Sequence, residues 1–148
     1  MDNGNEYYNK SAQNQNNNQK NESKEMELDK TIRENLDGDY LTIHVENFKE
    51  GVEYAAQKKL QQIHLIGGRA KNVIVDFKEL NKLSETLQDI SFIQDIGNVI
   101  NFESIYNLKE MRKIYIHDKQ KFTFDVSRFT KLQHLGGDYW NGLINLDK

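Results

Sequence analysis

The side chains best suited to chemistry in this chain are four histidines, His44, His64, His117 and His134, together with Ser91 and the pair Tyr139-Trp140. Imidazoles titrate near neutrality and ligate metals through either ring nitrogen. Three of them converging would make a zinc site. One beside a serine would make a nucleophile and base. Other requirements for such chemistry are missing from the sequence. There is no cysteine, which excludes disulfides and thiolate metal sites. Ser91 has no nucleophile elbow, orienting acid or oxyanion loop around it. Gly67-Gly68 and Gly136-Gly137 fit neither a dinucleotide fingerprint nor a P-loop, and are expected to serve turns with positive φ.

The elements that must position these residues follow from a recurring phrase, apolar-x-x-apolar-x-apolar. It reads Leu60-Gln-Gln-Ile63-His-Leu65, Leu87-Gln-Asp-Ile90-Ser-Phe92 and Met111-Arg-Lys-Ile114-Tyr-Ile116. An earlier copy runs through Leu41-Thr-Ile43, and a degraded one starts at Leu132-Gln-His-Leu135. The first positions, Gly38, Leu60, Leu87, Met111 and Leu132, are spaced by 22, 27, 24 and 21 residues. Such periods mark stacked supersecondary units. Positions four and six alternate around a variable residue, as in a half-buried strand. Between phrases the period turns helical: Phe48, Val52 and Ala55; Phe77, Leu80 and Leu83; Phe102, Ile105 and Leu108; Val126, Phe129 and Leu132. A strand, a helix and another strand imply parallel strands.

These units resemble leucine-rich repeats, specifically the irregular bacterial members of the family, over residues 38–148. That resemblance implies an α/β solenoid of four to five repeats, a curved parallel sheet with helices on its convex side, and a protein-binding role. Two departures stand out. The family's Asn ladder is missing, since Gly68, Asp95 and Lys119 occupy its slot. The second repeat also carries an insert-like stretch from Arg69 to Val75.

In such a stack, positions three, five and seven of each phrase point to solvent on the concave face. Position three holds Tyr40, Gln62, Asp89, Lys113 and His134. Position five holds Thr42, His64, Ser91, Tyr115 and Gly136. Position seven holds His44, Ile66, Ile93, His117 and Asp138. All four histidines fall on this face. His117 stands two strands beyond His64, about 10 Å away at ordinary strand spacing, so no metal site is expected. The expected anchors for a partner are Tyr115, His117, Tyr139 and Trp140, with Arg112, Lys113 and His64 beside them, because large rigid side chains with a polar end dominate interfaces. The bland alternative is a set of ordinary exposed residues, with Trp140 buried in an irregular cap.

Composition bounds the rest. Net charge is −3 over 148 residues, which offers no general reason to bind nucleic acid or an anionic membrane. Residues 111–134 are locally basic, with Arg112, Lys113, Lys119, Lys121, Arg128 and Lys131 against Asp118 and Asp125, which would suit an acidic protein partner. Residues 1–22 are an Asn/Gln-rich tail expected to be disordered. Residues 23–37 are expected to form a capping helix, with Ser23 as N-cap and Leu28, Ile32 and Leu36 as its stripe. No membrane span and no secretion signal are evident, so the expected compartment is cytoplasmic. The last residues, from Gly142, read like the start of another return. They fold back as a cap, leave an edge for a second copy, or continue into a longer protein. The expected protein is non-enzymatic and without cofactor, recognises a partner protein as an inhibitor or immunity-type module would, or associates with itself through its C-terminal edge.

Overall fold

The computed structural model describes residues 36–67 and 72–138, and the backbone of Leu143–Ile144. These belong to the compact unit Asn35–Lys148. The expected tail, residues 23–35 of the expected cap helix, residues 68–71, and Tyr139 and Trp140 lie outside the described residues.

The phrase becomes a strand each time. Strands β1 (Leu36–Asp37), β2 (Tyr40–His44), β3 (Gln62–Ile66), β5 (Asp89–Phe92), β7 (Lys113–Ile116) and β9 (His134–Gly136) form one open sheet, ordered β1-β2-β3-β5-β7-β9. All pairings except β1 with β2 are parallel. The register keeps equivalent positions opposite one another. Leu41, Ile63, Ile90, Ile114 and Leu135 stand in line, as do Tyr40, Gln62, Asp89, Lys113 and His134. A one-residue slip would turn the apolar set to the wrong face, so burial fixes this register. Leu41, Ile43, Ile63, Leu65, Ile90, Phe92, Ile114 and Ile116 are indeed at most 2% exposed.

The entries to β5, β7 and β9 repeat one bonding unit. The carbonyl of Gln61 accepts from the amides of Gln88 and Asp89 at 2.8 and 3.0 Å. Gln88 does the same for Arg112 and Lys113, and Arg112 for Gln133 and His134, at the same two distances.

The return segments depart from expectation. Only the first is an α-helix, α1 (Phe48–Gln57). The others open with short strands β4 (Ile74–Asp76), β6 (Asn98–Ile100) and β8 (Phe124–Asp125) and continue as 3₁₀ segments Phe77–Leu83, Phe102–Asn107 and Val126–Arg128. β4 pairs with β6, and β8 with β10 (Leu143–Ile144), both in parallel. The spacing explains the difference. Phe77, Leu80 and Leu83 are three apart throughout, as are Phe102, Ile105 and Leu108. Steps of three keep one face only at three residues per turn. The mixed steps of Phe48, Val52 and Ala55 suit 3.6 residues per turn.

Two more expectations are corrected. Leu36–Asp37, expected to end a cap helix, are the outermost strand, because Gly38 at φ +61° allows the chain to turn straight back into β2. Ile74 and Val75, grouped with an insert, are a regular return strand. The core between sheet and returns is threaded by rings. Phe48, Phe77, Phe102, Phe124 and Phe129 follow one another at centroid distances of 5.4–6.3 Å.

Candidate functional site

The side of the sheet away from this core carries positions three and five of every phrase. Its centre is β5, flanked in register by β3 and β7. Here lies the main surprise. Asp89 and Ser91, expected to face solvent, are 3% and 4% exposed. A carboxylate is costly in such a place unless it is hydrogen-bonded, and aspartate is depleted from strands in general.

Tyr40 supplies one bond. Its hydroxyl reaches past β3 and donates to Asp89 Oδ2 at 2.8 Å. On the way its ring leans on His64, with centroids 4.5 Å apart. The hydrogen bond to Asp89, reinforced by burial and by the negative charge, pushes the Tyr40 hydroxyl up to about 12. Tyr115 adds to the same effect from the β7 side. The other carboxylate oxygen, Oδ1, is buried without a hydrogen-bond partner, as is Oε1 of Gln62, its register neighbour on β3.

His64 responds to the same surroundings. Burial lowers its affinity for a proton, Asp89 partly restores it, and His117 lowers it further. His117 is exposed and stacks on Tyr115 at 6.1 Å with an interplanar angle of 7°. Tyr115 in turn lies over Gly136, its partner in register, where any Cβ would collide with the ring.

The sheet gathers His64, Lys113 and Tyr115 onto one face, and His117 stacks on Tyr115 just past β7. Arg112 sits one residue before β7 and is half-buried, with Nε lacking a partner. Tyr139 and Trp140 lie outside the described residues. The basic stretch is partly neutralised, since Arg128 pairs with Glu103 at 2.7 Å and Lys131 with Glu110 at 2.8 Å. The residues missed were Tyr40, Gln62 and Asp89. The available signal was an aspartate opening an inner strand.

His64 and Ser91 are opposite in register, and among the described residues no hydrogen bond joins them or joins His64 to Asp89. Among the described residues, no group of three or more His, Asp or Glu side chains converges to hold a metal ion. Among them too, no helix is long and apolar enough to cross a membrane. What the face offers is aromatic area, imidazoles and a half-satisfied carboxylate. No protein-family model, curated protein or solved structure matches the chain.

Proposed function

We propose that the chain is a non-enzymatic protein-recognition module, a leucine-rich repeat solenoid that grips a partner protein with the concave face of its parallel sheet. An inhibitor or immunity-type protein works in this manner. The observation that carries the reading is the row of Tyr40, His64, Tyr115 and His117 over register-matched strands, on the face that the return segments leave open. Rigid strands hold these rings at low entropic cost, as recognition requires. The constant register, the ring-threaded core and the second column of return strands support a repeat stack. The half-neutralised basic stretch leaves Lys113, Lys119 and Lys121 to attract an acidic region of the partner.

The test is capture from host extract with the wild type and with Tyr115→Ala/His117→Ala, after matched melting curves. A partner held by the wild type and lost by the variant supports the face. A partner held equally by both sinks it.

A second reading has its own observation. β9 ends the sheet, and beside it lies a groove of about 460 Å³ lined by Val126, Phe129, Leu132 and Leu135. A second copy could pair there, edge to edge. Mass that rises with concentration in sedimentation, and falls with Leu135→Lys, would favour it.

A further inference from the structure

Two acceptor oxygens on the open face lack a donor, Asp89 Oδ1 and Gln62 Oε1. They belong to register partners on adjacent strands, so their side chains leave the backbone about 4.8 Å apart. Asp89 is 3% exposed, and among the described residues the only hydrogen bond to its carboxylate comes from Tyr40. Lys113 flanks it in register on β7 but forms no ion pair with it among the described residues. Buried carboxylates are normally paired or multiply hydrogen-bonded. Side-by-side acceptors, one of them anionic, reject an anion or a further acceptor. They call for a cation that carries several N–H donors.

We propose that Asp89 and Gln62 form a subsite for a cationic side chain, a lysine ammonium or arginine guanidinium that a partner protein inserts beneath Tyr40. Tyr40 is the movable wall. It stands on β2 next to the outermost hairpin, is half-exposed, and rests on the face by its contact with His64 and its bond to Asp89. Rotation about its Cα–Cβ bond uncovers both carboxylate oxygens. The incoming cation then replaces the phenol on Oδ2, takes Oδ1 and Gln62 Oε1, and lays its alkyl stem against the rings of Tyr40 and Tyr115, where cation–π attraction adds to the fit. The subsite deepens the recognition reading, on which it rests for the identity of its occupant as a protein.

The experiment needs no partner. The full chain is titrated with n-butylammonium chloride and with n-butylguanidinium chloride, at ionic strength matched by sodium chloride, and followed through its backbone amide resonances. The expected result is a saturable shift, with millimolar affinity, centred on Gln62–His64 and Asp89–Ser91. Asp89→Asn keeps the shape and the acceptor for Tyr40, and should weaken the probe at least tenfold. Gln62→Leu should weaken it several-fold, and Tyr40→Phe, which removes the competing hydroxyl, should strengthen it. Shifts that fail to saturate, or that persist unchanged in Asp89→Asn, overturn the subsite. So does saturation seen only in Lys113→Met, because the chain's own lysine would then be the occupant. Probe binding that succeeds while the capture partner ignores Tyr115 and His117 would leave the subsite standing and remove the recognition reading alone.

Discussion

The bond between Tyr40 and Asp89 concentrates most of what is unusual in this molecule at one point. An aspartate that a strand would ordinarily exclude sits on the central strand, nearly inaccessible, and a phenol from two strands away covers it. The sign of its pH dependence follows from the raised Tyr40 hydroxyl. A folded-state value near 12 against an unfolded value of 10.0 contributes stability that is intact below pH 10 and is lost as pH rises through 12. Tyr40→Phe should remove that alkaline loss. It should also cost roughly 1–3 kcal/mol at neutral pH, since it strips a buried carboxylate of its donor. Urea denaturation of both proteins between pH 7 and pH 11.5 checks this. Parallel curves over the alkaline range would show that the bond does not form in solution. The sequence placed Asp89 in the right column and on the right face, and His64 and Tyr115 beside it. It could not show that Tyr40 reaches past a whole strand, because that depends on side-chain conformers that no spacing encodes.

At the scale of elements, the parallel strands and their register were legible because apolar positions four and six admit only one alignment with a buried face. The returns were misread as α-helices because an apolar face recurring every three or four residues fits both helix types at first sight. The strict threes of Phe77, Leu80 and Leu83 decide for the tighter one. A second phrase also went unread. An aspartate or asparagine precedes Phe77, Phe102 and Val126, and Asp76 and Asp125 cap the next turn through the amides of Lys78 and Ser127. Asn101 bonds Asp76 in the neighbouring return, and Asn107 bonds Asn81. Ties between neighbouring units thus exist without an Asn ladder after the strands. In the loops after β5 and β7 the buried amide of Gln120 makes a similar link, accepting from Ile96 N and donating to Gln94 O. Glycine positions test the stacking. At Gly38 a side chain meets open space and only a positive φ of +61°, so Gly38→Ala should cost about 1 kcal/mol. At Gly137, φ is +100° and a Cβ would strike the backbone of Ile116. Gly137→Ala should cost at least twice as much, about 2–4 kcal/mol. Equal losses in urea would mean that the turn after β9 is not packed against β7.

For the molecule as a whole, the two sides of the sheet divide the work. One side is an apolar core of strands, returns and rings, which supplies stability. The other carries aromatic rings, imidazoles and the Asp89 carboxylate with its bond from Tyr40. Whether a repeat protein binds through its sheet or through its returns is a question of which side touches the partner. The most direct measurement places a photocrosslinking amino acid at His117 on the open face and, separately, at Lys78 on the return side, in the intact chain in its host. The recognition account predicts a discrete crosslinked partner from position 117 and none from position 78. A partner crosslinked from position 78 alone would contradict it and move the binding surface to the returns.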